Sequence, residues 1–103
     1  NWVTLVDNAQ WQRSWETAAI LFKSQISADQ WASAIQTVRQ PIGAVASRTL
    51  QSATRTKSLP GAPAGDYVVM QFQTNFANKA NAVETITVVH ADSQWTVTGY
   101  FIR

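Results

Sequence analysis

Glu84 is the residue whose position most suggests chemistry, because it is an acid on the apolar side of a predicted strand. Alternation places it on the same side as Ile86, and the register of the following hairpin sets Phe101 opposite it. A buried carboxylate must be paired, hydrogen-bonded or protonated. Glu84 could act as a general acid or base in a pocket, or it could be held in a structural ion pair. We favour the ion pair and assign no catalytic residue.

Two arginines are the partners that we expect for Glu84. Arg39 ends the last predicted helix and Arg48 lies on the first predicted strand, and these are the cations best placed to reach the carboxylate. A neighbouring guanidinium lowers the pKa of a carboxyl group, whereas burial alone raises it. A paired Glu84 is therefore predicted to stay ionised at neutral pH.

The chain offers few other reactive groups. Cysteine is absent and His90 is the single histidine, which excludes disulfides, thiolate catalysis and two-histidine metal sites. We expect neither a metal nor a cofactor. His90 comes just before a predicted hairpin turn, and we expect its ring to stack on Trp95. Gly61 and Gly65 lack the strand–loop–helix context of a phosphate cradle.

Large aromatic residues are a second group of candidates. Trp15 and Trp31 lie on the apolar stripes of two predicted helices, and Tyr100 lies at an apolar end of the sheet face opposite Glu84. We consider all three as candidates to line a ligand pocket. A stripe at helical spacing is more often simply core.

A basic strand is the remaining pattern with a functional interpretation. Arg48, Arg55 and Lys57 follow one predicted strand without the interleaved aromatic residues of a nucleic-acid surface. Charges of this kind protect a sheet edge from aggregation. We expect no nucleic-acid partner, and the net charge of +2 is too small to indicate one.

Length and composition define the setting for these residues. A chain of 103 residues has room for one domain, predicted to span residues 1–103, and 46% apolar against 14% charged residues argue for a packed core. No apolar run approaches the ~20 residues of a membrane helix. The first residues, NWVTLVD, resemble the end of a helix. We therefore expect that a signal peptide, a lipoprotein anchor or another segment preceded them.

Helical periodicity in the first part of the chain predicts three helices, over residues 1–7, 10–22 and 27–39. The second carries an apolar stripe of Trp11, Trp15, Ala18, Ala19 and Phe22. Ser27 and Gln30 have the spacing of a capping box that starts the third helix. Pro41 and Gly43 are expected to end it.

After Gly43 the period changes to two, which predicts four antiparallel strands over residues 44–57, 66–77, 82–91 and 94–103. The proline- and glycine-rich segment from Leu59 to Gly65 is an irregular loop between the first two. Asp92 and Ser93 predict a two-residue hairpin turn.

The hairpin turn fixes which side chains share a face. It sets four pairs on one apolar side: His90 with Trp95, Val88 with Val97, Ile86 with Gly99, and Glu84 with Phe101. The preceding turn needs an odd loop or a bulge to bring Val68, Met70, Phe72 and Phe76 to the same side. We predict a one-sided sheet whose single core contains Trp15, Trp31, Phe72, Val88 and Val97.

Several segments together resemble the bacterial "domain of unknown function 4019" family: Ser14-Trp15, Gln30-Trp31, VRQPIG from Val38, SLPGAPAGDYVVMQF from Ser58, VETITVV from Val83 and QWTVTGYFIR from Gln94. The resemblance covers nearly the whole chain. It implies an α+β fold with N-terminal helices packed on one face of a curved four-stranded antiparallel sheet, similar to the cystatin-like or nuclear-transport-factor-2-like (NTF2-like) cone. It also implies an exported bacterial protein, periplasmic or secreted. No activity comes with the family.

These observations favour a non-enzymatic module that binds a small molecule or a protein partner between the helices and the sheet. Two alternatives stay open. One is a small hydrolase- or isomerase-like cone enzyme that uses Glu84, and the other is a structural homodimer joined through the Thr- and Gln-rich face of the sheet.

Overall fold

The computed structural model describes residues 2–103, in which four helices precede one sheet. The helices are α1 (Trp2–Asp7), α2 (Trp11–Glu16), α3 (Ile20–Gln25) and α4 (Ala28–Ile42). The strands are β1 (Val45–Thr56), β2 (Tyr67–Phe76), β3 (Lys79–Ala91) and β4 (Gln94–Ile102). All neighbours are antiparallel in the order β1-β2-β3-β4. The predicted α+β layout with four antiparallel strands is confirmed.

The single helix predicted over residues 10–22 is wrong, because the chain leaves the helical conformation between α2 and α3. Ala19 is extended, with φ −64° and ψ 152°. Its N–H donates to the carbonyl oxygen of Val97 on β4 at 2.7 Å instead of continuing the helix. Ala18 and Ala19 remain buried, as their apolar pattern predicted, but they do so against the edge of the sheet.

α4 starts as predicted and ends later than predicted. The N–H of Gln30 donates to Ser27 Oγ at 3.1 Å, and the N–H of Ser27 donates to Gln30 Oε1 at 3.0 Å, which is a complete capping box. The helix continues past residue 39 and includes Pro41 in its last turn, where the missing N–H removes one hydrogen bond, to the carbonyl oxygen of Thr37, one residue before the last residue of the helix. Gly43 ends it with φ 81°, a left-handed backbone that glycine adopts without strain.

The two hairpin turns set the register of the sheet. In the hairpin of β2 and β3, Asn81 near the start of β3 has φ 58°, and a bulge beside it brings Phe72 opposite Glu84, so the predicted bulge is confirmed. Between β3 and β4, Asp92 and Ser93 have φ 51° and 65°, the left-handed pair of a two-residue turn.

A further irregularity in β4 makes the predicted pairing of Glu84 with Phe101 wrong. The register of β3 and β4 shifts by one residue beyond the first pairs of the hairpin. Ile86 therefore pairs with Tyr100 and not with Gly99. Tyr100 lies on the side of Glu84, whereas Phe101 faces the other side and is 53% exposed.

The side chains between helices and sheet form two clusters and not the single core that we predicted. One cluster contains Val3, Ile86 and Val97, and the other contains Val6, Trp31 and Ile35. Trp2 and Tyr100 pack against both clusters, with ring centroids 5.5 Å apart. Three residues predicted for the core are only partly buried: Trp15, Phe72 and Val88.

The face of the sheet turned away from α4 is also partly covered. Tyr67 points to this face and is only 2% exposed. Its hydroxyl donates to the carbonyl oxygen of Pro63 at 2.6 Å, in the loop of residues 57–66. Leu21 of α3 lines the space beside the same ring. The predicted one-sided sheet is therefore wrong where α3 and this loop lie over it.

Trp31→Ala is expected to lower the free energy of unfolding by about 3–5 kcal/mol, because truncation of a buried indole leaves a cavity. It also removes the Nε1 donor that binds Ser14 Oγ at 2.9 Å. Urea unfolding followed by circular dichroism measures the change. Trp95→Ala, at a tryptophan that is 44% exposed, is the matched control and should cost much less. A loss below about 1 kcal/mol for Trp31→Ala would contradict this packing.

Candidate functional site

Glu84 lies on β3 with its side chain completely buried, at 0% exposure. Thr74 Oγ1 of β2 donates to Glu84 Oε1 at 2.5 Å, and the Tyr100 hydroxyl of β4 donates to Oε2. Arg48 of β1 donates from Nε to Oε1 at 2.7 Å and from Nη2 to Oε2 at 3.1 Å. Each carboxylate oxygen therefore accepts two hydrogen bonds.

Arg48 extends this arrangement to α1. Its Nη1 donates to Asp7 Oδ2 at 2.8 Å, and its Nη2 donates to Asp7 Oδ1 at 3.0 Å. Arg39 of α4 donates to the same Oδ1 at 2.9 Å. Acids and bases thus alternate in the order Glu84, Arg48, Asp7 and Arg39, and we call these residues, together with Thr74 and Tyr100, the polar network.

The two arginines predicted as partners of Glu84 have different roles. Arg48 forms the expected ion pair with Glu84, whereas Arg39 binds Asp7. Arg39 Nε and Nη1 are buried and have no hydrogen-bond partner within residues 2–103. The Arg39 guanidinium lies 5.0 Å from the centroid of Phe76, in a cation–π contact.

The candidate aromatic residues separate in the same way. Tyr100 joins the polar network. Trp31 lies in a core cluster and donates to Ser14 Oγ. Trp15 is partly buried and donates from Nε1 to the carbonyl oxygen of Ile26 at 2.8 Å, away from Glu84. Trp31 and Tyr100 line a common cleft of about 180 Å³ between α4 and β4, whereas Trp15 does not line it.

Sequence reasoning missed three residues that the structure uses: Asp7, Thr74 and Ser14. Alternation contains a signal for Thr74, because it falls between Phe72 and Phe76 on the apolar side of β2, where a hydroxyl needs a partner. Asp7 and Ser14 carry no comparable signal. The partners of Asp7, and the two tryptophans that bind Ser14, are remote in sequence, as with the Trp2 Nε1 that donates to the Ser14 carbonyl oxygen at 2.9 Å.

Charge and burial oppose each other in the polar network. Burial acts to raise the pKa of Glu84, but hydrogen bonds from Arg48, Thr74 and Tyr100 outweigh it, and the pKa lies below its usual value. Burial likewise acts to raise the pKa of Asp7, and the two arginines lower it further than burial raises it. Burial and the negative charge of Glu84 raise the pKa of Tyr100. At neutral pH the carboxylates are therefore ionised and the phenol is neutral.

This geometry does not favour proton transfer by Glu84. A carboxylate has about four lone-pair positions, and four donors already occupy those of Glu84. A substrate would have to displace one of these four donors from the Glu84 carboxylate, which has no contact with solvent. Within residues 2–103, no group of three or more His, Asp or Glu side chains is arranged to hold a metal ion.

An open cleft of about 440 Å³ lies on the face of the sheet turned away from the polar network, and we call it the hairpin cleft. Its apolar wall comes from α3, the residues before it and the sheet: Ala18, Ala19, Leu21, Tyr67, Val89 and Ala91. The loop supplies the opposite wall: Pro63, Ala64 and Gly65. Polar residues border the end at the hairpin turn: His90, Asp92, Gln94 and Thr96.

A second cleft of about 190 Å³, the loop cleft, lies under residues 57–66. It shares Leu21 and Tyr67 with the hairpin cleft and has Leu59, Ala62 and Gly99 among its other walls. No charged residue lines it.

The ring of His90 packs as predicted. Its centroid lies 4.9 Å from that of Trp95. The guanidinium of Arg55 lies 5.7 Å from the same indole and forms an ion pair with Asp66 at 2.8 Å. The basic residues of β1 are thus already paired, with Lys57 at 3.7 Å from Asp66 as well.

Comparison with known proteins gives one match. The family model described as "Protein of unknown function (DUF4019)" matches residues 1–100. The chain belongs to the DUF4019 family. Searches among curated proteins and among solved structures found no match. Within residues 2–103 of this DUF4019 chain, no helix has the length and apolar character needed to span a membrane.

In this DUF4019 chain, Glu84→Gln is expected to lower the free energy of unfolding by roughly 3–5 kcal/mol, because it removes one of the two carboxylates paired with Arg48 and turns an amide N–H toward buried donors that now bind a carboxylate oxygen. Urea unfolding at neutral pH measures the loss. Glu16→Gln changes an exposed glutamate on α2 and should alter stability by less than about 0.5 kcal/mol. An unchanged unfolding curve for Glu84→Gln would show that the ion pair is not structural.

The pH dependence of stability follows from the same groups. Glu84 and Asp7 have lowered pKa values, so their contribution is present above the unfolded values of 4.5 and 3.8 and is lost as the pH falls through the folded ones. Tyr100 has a raised pKa, so its contribution is present below 10.0 and is lost as the pH rises beyond that. We expect the free energy of unfolding to fall below about pH 5 and again above about pH 10.

Two variants test which residues cause the loss of stability at low pH, the acid limb of the profile, and at high pH, the alkaline limb. Tyr100→Phe should weaken the alkaline limb and keep most of the acid limb, because Arg48 and Thr74 still lower the pKa of Glu84. Asp66→Asn removes a surface carboxylate whose pKa Arg55 also lowers, and it should keep most of the acid limb. A free energy of unfolding that stays constant from pH 5 to pH 2 would contradict the assignment of the acid limb to the polar network.

Proposed function

We propose that this domain is a non-enzymatic binding module that holds a small, mainly apolar molecule in the hairpin cleft. The observation that carries the proposal is the cleft: about 440 Å³, with an apolar wall and a few polar groups at one end. Ligand sites have this size and composition. The space between helices and sheet, where we expected the ligand, is largely filled by Trp2, Trp31 and Tyr100 and keeps a smaller cleft of about 180 Å³ beside Ile35 and Val38.

The alternatives have less support. An enzyme that uses Glu84 would need that carboxylate to meet a substrate, and its four hydrogen bonds and zero exposure argue against this. A homodimer through the Thr- and Gln-rich face would need free hydrogen-bonding groups there. Gln73 accepts from Gln51 at 2.8 Å and donates to Asn81 at 3.0 Å, so these side chains already satisfy one another.

We also propose that the fold is a variant of the cystatin-like or NTF2-like cone, and that the protein is periplasmic or secreted. Register shifts in all three strand pairs support a curved sheet, because bulges bend and twist strands. Export rests on the family resemblance. Fractionation of the native host with a specific antibody tests it, and recovery in the cytoplasmic fraction would overturn it.

Ala64→Trp is expected to weaken the binding of N-phenyl-1-naphthylamine, a neutral apolar fluorophore, by about tenfold or more, because an indole on the loop would fill the hairpin cleft. Titration of the fluorophore's own emission gives the affinity. Ala53→Trp adds the same side chain at an exposed position on β1, and its affinity should stay within about twofold of wild type.

Amide chemical shifts locate the bound fluorophore independently. In the wild-type protein, the largest changes are expected at Leu21, Val89 and Thr96, which line the hairpin cleft. Two results would overturn the proposed site: no binding of the fluorophore at all, or binding that Ala64→Trp leaves intact.

A further inference from the structure

The hairpin cleft and the loop cleft are neighbouring clefts, and we call the two together the path. Among residues 2–103, Leu21 and Tyr67 line both clefts and the other lining residues differ, so each cleft extends away from these two residues in its own direction. One end of the path lies at the polar residues of the hairpin turn and the other lies beside Gln25 and Leu59. An elongated path of this kind fits a long, narrow molecule better than a rounded one.

The walls of the path favour an aliphatic chain over a flat ring system. Small side chains line it along its length, among them Ala18, Ala19 and Ala64 in the hairpin cleft and Gly61 and Gly99 in the loop cleft. Within residues 2–103, neither Phe nor Trp lines either cleft, and Tyr67 is the single aromatic ring apart from His90. Ring ligands usually stack on aromatic side chains, whereas methylene groups need only apolar surface.

The charges at the mouth of the hairpin cleft restrict the head group. Among residues 2–103, Asp92 is the one acid that lines the cleft, and neither Lys nor Arg lines it. Arg55, near the end of β1, and Lys57, just after the strand, are directed to Asp66. An anionic head group would therefore lie beside the Asp92 carboxylate with neither Lys nor Arg in the described lining to neutralise it. Gln94 and Thr96 supply additional hydrogen-bonding groups at the same end.

We infer that the ligand is a single-chain aliphatic amphiphile with an uncharged or positively charged head group. The chain lies along Leu21 and Tyr67, and the head group lies at Asp92, Gln94 and Thr96. This inference rests on the proposed function and adds the chemical class of the ligand. The inferred preference for an uncharged or cationic head group is opposite to the one that the overall charge of the protein favours, since a net charge of +2 attracts anions to sites without specific recognition.

A series of n-alkyltrimethylammonium ions, from octyl to tetradecyl, tests the chain. Binding to the full chain is measured by calorimetry below the micelle concentration, with circular dichroism to verify that the protein stays folded. Each added methylene is expected to tighten binding about fourfold until the path is filled, and the affinity should then level off. An affinity that does not depend on chain length would overturn the inference.

Head-group charge is tested at constant chain length. Decyl sulfate is expected to bind at least about tenfold more weakly than decyltrimethylammonium, because it would lie beside Asp92. Asp92→Asn should remove this difference. Asparagine tolerates the left-handed φ of 51° at this position, so the turn is kept. Asp29→Asn makes the same change in net charge at an exposed residue of α4 and should preserve the difference.

The outcomes separate the two proposals. If the neutral fluorophore binds in the hairpin cleft but decyl sulfate binds as tightly as the cation, the ligand class is wrong and the binding module stands. If the fluorophore does not bind, the proposed function fails as well, whatever the alkyl series shows.

Discussion

The guanidinium of Arg48, held between the buried carboxylate of Glu84 and that of Asp7, is the interaction on which the rest of the structure depends. β1 contributes almost no buried side chain of its own, and Leu50 is 53% exposed. Beyond its backbone pairing with β2, this edge strand is attached to the core through four hydrogen bonds from Arg48. An unpaired charge at this depth would cost several kcal/mol, so α1, β1 and β3 are stable only together.

The same network explains why little open space lies between the helices and the sheet. Tyr100 is directed toward Glu84, and Trp2 packs on Tyr100 and Trp31, so side chains fill most of this region and leave a cleft of about 180 Å³ between α4 and β4. The chain then leaves this side at Ala19, whose N–H binds the edge of β4. α3 continues beside that edge, and its Leu21 faces the loop of residues 57–66. The hairpin cleft and the loop cleft form because the chain passes at Ala19 from one face of the sheet to the other.

Patterns in the sequence predicted correctly those features that residues close in the sequence determine. Alternation placed Glu84 on the buried side, the Asp92-Ser93 turn fixed the first hairpin pairs, and one of two candidate arginines is the partner. The break at Ala19 could not be predicted, because Ala18, Ala19 and Phe22 keep helical spacing and only a remote carbonyl group interrupts the helix. The bulge in β4, where Thr98 is the extra residue, could not be predicted either, because a threonine within a strand does not indicate a bulge. Without this extra residue, simple alternation assigned Tyr100, a member of the polar network, to the wrong face of the sheet.

The division between the two faces has a physical basis. The polar network and the two clefts share no residue. On the helix side, every hydrogen-bonding position of the Glu84 carboxylate is used to keep charges satisfied in a buried site, and a group committed in this way cannot also recognise a ligand without destabilising the fold. The side chains of the hairpin turn and of the loop of residues 57–66 are not needed to satisfy buried charges of the polar network. Rigid strands support them, and loops on a rigid scaffold are where binding residues usually lie. Burial of the ionic residues thus leaves the opposite face of the sheet as the place where the ligand that we propose would bind.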